Sequence, residues 1–247
     1  MVIILKKNIE WLNDIKIAHR GLHNVNKGIP ENSIIAFEKA LKENIAIELD
    51  VHMLKDNTFV VFHDDNLKRC CNLDKNIKDL TIKDIKDIKL FNTDYKIPTL
   101  SDALDFIDGK VPIVIEVKTD VKAQIICPNL IKILENYKGK YTIKSFDPRM
   151  CLWLKKHAPE IIRGLLITDF KKSKKLNILK KIFISCMLFI PYYNPDFLSI
   201  SLSMLKTKRV KKARKNGYLV LGWTFRYKSD YIKYAHYCDS YIYEEQK

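Results

Sequence analysis

The chain has 247 residues, 47% of them apolar and 30% charged, and a formal net charge of +15. Seven glycines and eight prolines are too few for a linker-rich array, and the apolar content excludes a disordered or collagen-like chain. The length suits one large domain, since an α/β barrel takes about 250 residues, and a core of that size needs no disulfide or metal staple.

Short β-branched runs alternate with helical patterns from end to end. The predicted main strands are Ile15–His19, Ala46–Val51, Pro112–Lys118, Tyr141–Phe146, Ile161–Ile167, Phe197–Leu202, Tyr218–Thr224 and Ser240–Glu244. Apolar residues at helical spacing lie between them, over Asn32–Asn44 (capped by Asn32 or Ser33), Ser101–Ile107, Ala123–Tyr137, Arg149–His157, Lys174–Leu188, Ser203–Asn216 and Ser229–Tyr237. Eight βα repeats with no break in composition predict a single α/β domain over residues 1–247, a distorted (β/α)8 TIM barrel. One more strand, Thr58–His63, follows the second across Lys55-Asp56-Asn57 and reads as a hairpin extension past the barrel rim. A turn pivoting between Asp56 and Asn57 sets His63 beside Asp50. Residues from about 64 to 98 read as a polar rim insertion, helical over Asn76–Leu90.

In such barrels the chemistry sits at the C-terminal ends of the strands. Here those ends carry His19-Arg20-Gly21, Glu48-Leu49-Asp50, His63-Asp64 and Glu116-Val117-Lys118. A strand period of two puts Glu48 and Asp50 on one face, and likewise Glu116 and Lys118. Unpaired buried charge is costly, so four such ends are hard to explain as packing. Three carboxylates form a hard oxygen site suited to Ca²⁺ or Mg²⁺, whereas zinc prefers more His or Cys. Arg20 and Lys118 can hold phosphoryl oxygens, and two histidines can act as general acid and base near neutral pH. The set suits hydrolysis of a phosphate ester.

The run AHRGLHNVNKGIPENSIIAFEKALKENIAIELDVHMLKDNTFVVFHDDNLKR resembles the signature of the glycerophosphodiester phosphodiesterase family. The resemblance continues through IPTLSDAL, VPIVIEVK, IKSFDP and GWTF to CDSYIYE, covering roughly Ile15 to Glu244, and is similar to the cytosolic bacterial branch. It implies a metal-dependent barrel that hydrolyses glycerophosphodiesters to sn-glycerol 3-phosphate and an alcohol. By motif position Glu48, Asp50 and Glu116 match the metal ligands, and His19 and His63 the acid/base pair. Arg20 and Lys118 match the phosphate-binding residues, and Trp223 an aromatic lining the glycerol side. The residues are compatible with attack by the substrate's own 2-hydroxyl and with direct attack by water. Departures are few: Asn57 stands where the hairpin turn commonly has Gly, Lys144 where a Gln is common, and His52 where Thr or Gln is common.

Other chemistry-bearing residues read as supporting ones. His23, four residues after His19 in the following loop, suits a supporting hydrogen bond, Asp64 an orienting contact to His63 or its loop, and Glu31-Asn32 the start of the first helix, with Asn32 near the mouth. His157 and His236 lie on helical patterns without acidic neighbours. The basic run Lys206–Lys215 lacks interleaved aromatics and reads as a solvated helix face, not a nucleic-acid site. Residues 171–193 join a basic half to the apolar run Ile182–Tyr193, which is shorter than the ~20 residues of a spanning helix; this segment reads as a barrel helix and loop, or as a peripheral contact with an anionic membrane. Six scattered cysteines without a secretory signal fit a reducing cytoplasm. The rival functions are lysophospholipase D or sphingomyelinase D-like cleavage of lipid headgroups and, in another class, a non-catalytic phosphate- or lipid-binding protein. The complete set of two histidines around three carboxylates argues against a mere binder.

Overall fold

The computed structural model describes residues 7–118, 120–169 and 189–245. Parallel strands alternate with helices throughout, with one extra antiparallel strand, which is the (β/α)8 pattern expected from the sequence. The chain forms two compact units, one of residues 17–141 and one from residue 142 onward together with the start of the chain.

In the first unit β1 (Lys16–His19) pairs in parallel with β2 (Ala46–Met53), which pairs in parallel with β4 (Ile113–Val117). All eight residues of β2 are buried, so its charged side chains and its apolar ones are both hidden from water. The turn after β1 requires glycine: Gly21 has φ +76°, and a Cβ there would meet the Ala36 backbone at 2.9 Å. The Leu22 N–H donates to Ala36 O, tying that turn to α1 (Ile34–Lys42). Ser33, not Asn32, caps α1, its hydroxyl accepting from Ala36 N–H.

Strand β3 (Phe59–Val61) pairs antiparallel with β2, as predicted, but in a different register. Val51 faces Val61 and Met53 faces Phe59, so the hairpin pivots on Asp56 instead of between Asp56 and Asn57. A three-residue loop with Asn57 at φ +65° accounts for the slip, because a left-handed third residue closes such hairpins. Phe62 N–H therefore donates to Asp50 O, and His63 lies one residue beyond the expected position. The rim insertion returns beside β3, with Val61 N–H donating to Pro98 O. It contains α2 (Lys68–Cys71), a 3₁₀ turn at Ile77–Asp79 and α3 (Ile82–Ile85), so Asn76–Leu90 is helical in two short pieces and not one helix. Its own small core joins Leu67, Cys70, Ile77, Ile85 and Leu90 to Val60 and Phe62. Helices α4 (Leu100–Ile107) and α5 (Ala123–Leu134) complete the unit.

In the second unit β5 (Tyr141–Ser145), β6 (Arg163–Ile167), β7 (Phe197–Ser201), β8 (Leu219–Phe225) and β9 (Ser240–Tyr243) pair in parallel in that order. Helices α6 (Pro148–His157), α7 (Ile190–Tyr193), α8 (Leu202–Leu205), α9 (Lys208–Lys215) and α10 (Lys228–Tyr234) lie between or beside them. The single helix expected over Ser203–Asn216 is two, because Thr207 starts a new one by accepting from Val210 N–H. The predicted helix Lys174–Leu188 and residues 171–188 of the proposed membrane-contact segment lie outside the described residues. Among the described residues no helix is long and apolar enough to cross a membrane.

Candidate active site

Parallel register aligns the strand ends of the first unit. His19 on β1 pairs with Glu48 on β2, and Asp50 on β2 pairs with Glu116 on β4. One oxygen from each of Glu48, Asp50 and Glu116 falls within 4.8 Å of the other two, and all three residues are buried. Lys118, just past β4, places Nζ 2.6 Å from Asp50 Oδ1 and donates to Glu116 Oε1 at 2.6 Å. Arg20, held at φ +54° next to Gly21, donates its backbone N–H to Glu48 Oε2 and Nη1–H to Glu31 Oε1 at 2.7 Å. Its Nε lies 3.2 Å from Asp50 Oδ2, an ion pair without hydrogen-bond alignment. Asn32 grips Asp50 reciprocally, its Nδ2–H donating to Asp50 Oδ2 at 2.9 Å and its Oδ1 accepting from the Asp50 N–H.

Burial opposes ionisation of Asp50, but the charges of Lys118 and then Arg20 outweigh it and hold the carboxyl well below its ordinary range. The same carboxylates, chiefly Asp50, offset burial and push the Lys118 ammonium pKa upward. Both groups therefore stay charged across the neutral range. Three buried carboxylates presenting hard oxygens within one small sphere fit a divalent cation of the Ca²⁺ or Mg²⁺ kind, and among the described residues no sulfur or imidazole belongs to this cluster.

His63 lies half-exposed at the end of the hairpin, with Nδ1 2.6 Å from Asp64 Oδ1. His52 does not join the carboxylate cluster. Its buried ring lies with Nδ1 3.0 Å from Asp120 Oδ2 and Nε2 3.2 Å from His63 O, bracing the main chain of His63. His19 is buried beside His23, ring centroids 6.5 Å apart. Trp223 belongs to the second unit, on β8, packed edge-on against Phe146 at 6.0 Å. No sequence pattern marks Arg69, which donates to both Asp64 and Glu31, whereas Asn32, expected at the helix start near the mouth, reaches Asp50. The pattern Pro30-Glu31-Asn32-Ser33 gave the capping serine, but the contacts of Glu31 and Asn32 depend on a chain fold that brings the loop back over β2.

The family model of the glycerophosphoryl diester phosphodiesterases matches residues 19–242, from the first site histidine to the last strand. The chain belongs to that family. It is thereby a phosphoric diester hydrolase by descent. A glycerophosphodiester phosphodiesterase of Caldanaerobacter subterraneus subsp. tengcongensis is 34% identical over 169 residues, 63% of this chain and 67% of that protein. A lysophospholipase D of Rattus norvegicus is 29% identical over 138 residues, 51% of this chain and 42% of its own length. The alignment with the rat enzyme thus spans less than half of that relative. Among solved structures, an Oleispira antarctica phosphodiesterase in complex with the product sn-glycerol-3-phosphate superposes with a TM-score of 0.78 at 21% identity, covering 95% of this chain and 94% of that one. This likeness shows the fold, the (β/α)8 barrel of the family.

Proposed function

We propose that the protein hydrolyses glycerophosphodiesters to sn-glycerol 3-phosphate and an alcohol, with Glu48, Asp50 and Glu116 holding one Ca²⁺ or Mg²⁺. The observation that carries the reading is the buried three-carboxylate cluster with Lys118 and Arg20 beside it. A cation bound there would polarise a phosphoryl oxygen and lower the pKa of a hydroxyl or water near it. An ammonium has three N–H bonds, so with two directed at Asp50 and Glu116, Lys118 keeps one for a phosphoryl oxygen as negative charge builds. Arg20, fixed by Glu31, offers guanidinium N–H groups to the same oxygens.

His19 and His63 serve as the acid/base pair, one taking the proton from the attacking hydroxyl and the other delivering one to the leaving alcohol. Because Asp64 accepts from Nδ1 of His63, the proton-transfer atom of that ring is Nε2. Trp223 lines the glycerol side in this reading, supported by its place in Gly222-Trp223-Thr224. The setting is cytoplasmic, supported by five free thiols among the described cysteines.

The test is product release from glycerophosphocholine, glycerophosphoethanolamine and a lysophospholipid in parallel, with Ca²⁺, Mg²⁺ or EDTA and with His19→Ala as the blank. Metal-dependent glycerol 3-phosphate from the deacylated substrates is expected. Headgroup release from the lysophospholipid alone would move the protein to the lipid-cleaving reading, which the likeness to the rat lysophospholipase D favours. Metal-independent turnover, or none, would overturn the proposal.

A further inference from the structure

The rim insertion contributes a charge that no strand end supplies. Arg69, in α2, donates Nε–H to Asp64 Oδ2 at 2.6 Å and Nη2–H to Asp64 Oδ1 at 2.9 Å. The same guanidinium donates Nη1–H to Glu31 Oε2 at 3.0 Å and Nη2–H to Glu31 Oε1 at 2.7 Å. One planar group thus engages two carboxylates through both oxygens of each, a geometry that a lysine cannot reproduce. Phe91, also from the insertion, lies against the guanidinium, 5.7 Å from its ring centroid. Glu31 is almost fully buried and also accepts from Arg20, which pairs with Asp50. Asp64 in turn holds Nδ1 of His63. An unbroken chain of charged contacts therefore runs from His63 through Asp64, Arg69, Glu31 and Arg20 to Asp50.

We propose that Arg69 is a positioning residue that locks Asp64 against His63, fixing the ring's orientation and its Nδ1–H tautomer. An ionised carboxylate only accepts, so a fixed Asp64 obliges Nδ1 to carry the proton and leaves the Nε2 lone pair for proton transfer. Without Arg69, Asp64 keeps one partner and can rotate, and the half-exposed ring is free to take either tautomer. Glu31 remains paired with Arg20, so the carboxylate cluster around Asp50 stays assembled. The rim insertion is then more than a cover, because its small core sets the position of α2 and through it of Arg69.

The inference rests on the reading of His63 as an acid/base group, and the experiment separates the two. Arg69→Ala, Arg69→Lys and His63→Ala are compared with the unaltered chain for kcat and KM on glycerophosphocholine with Mg²⁺ and Ca²⁺. Removal of such an orienting partner typically costs about 10–100-fold, so kcat should fall by that factor in both Arg69 variants with KM unchanged. Free guanidinium at millimolar concentration should restore part of the loss in Arg69→Ala and none in Arg69→Lys. Independently of turnover, ¹⁵N NMR of the neutral ring should report Nδ1–H for His63 in the unaltered chain and a mixture in Arg69→Ala. Unaltered kcat and tautomer in Arg69→Ala, with His63→Ala inactive, would overturn the inference and leave the function standing. Full activity in His63→Ala would overturn the acid/base reading itself. Loss of folding in Arg69→Ala shifts the decision to Arg69→Lys, whose retained charge and shape mismatch give the same two readouts.

Discussion

Two of the charged groups among the described residues differ in the sign of what is left over. In the second unit Lys7 donates to Asp196 Oδ2 and to Ile161 O, while Arg163 donates its backbone N–H to the same Asp196 oxygen and Nε–H to Asn194 O. Two cations share one carboxylate, and backbone carbonyls absorb part of the remaining charge. In the first unit Glu48, Asp50, Glu116, Glu31 and Asp64 face Arg20, Lys118 and Arg69, which leaves an excess of negative charge beside the strand ends. Burial and ion pairing are common to both groups. The excess of carboxylate oxygens distinguishes a place that can take a divalent cation from a cluster that holds chain segments together.

The contrast breaks first at Glu48. Glu48→Gln removes a cluster oxygen without changing shape and should lower metal-supported turnover by roughly 10³-fold, the upper end of the cost of one lost transition-state electrostatic contact; initial rates against cation concentration check it. His63→Ala should lower turnover by about 10²–10⁴-fold, the scale of general acid/base catalysis, while calorimetric titration with Mg²⁺ or Ca²⁺ remains unchanged. Asp196→Ala has the opposite profile. It leaves two cations without their carboxylate and should cost about 3 kcal/mol in urea unfolding, with turnover per folded molecule unaltered.

A cation that binds only the folded chain raises its stability, so Ca²⁺ or Mg²⁺ should raise Tm in the unaltered chain and in Asp196→Ala but not in Glu48→Gln. A rise that persists in Glu48→Gln would place the cation elsewhere. The smallest effect concerns acid. Burial opposes ionisation of Glu31, yet hydrogen bonding to Arg69 and the charges of Arg20 and Arg69 lower its carboxyl below the ordinary value. The unfolded chain then takes up the proton first as pH falls, so this stabilisation is complete above the ordinary carboxylate range and is lost below it. Glu31→Gln should flatten the decline of Tm between about pH 5 and pH 3.

Much of this was legible in the chain itself. Period-two spacing fixed which side chains of Glu48-Leu49-Asp50 and Glu116-Val117-Lys118 share a face, and βα alternation fixed the fold class, because backbone geometry imposes both locally. The hairpin turn was legible too, but its pivot was not. Asn57 tolerates the left-handed conformation that shifts pairing by one residue, and no residue spacing reveals whether it takes it. Asp64 could be assigned to His63 because the two are adjacent. Arg69 could not be assigned to Glu31, 38 residues away, since only the packing of α2 brings them together. Sequence by itself determined the alternation of elements, the family and the residues at the strand ends. Tertiary structure alone decided the hairpin register and the chain of charges from His63 to Asp50, because contacts between distant segments depend on how loops close, and local propensity carries no record of that.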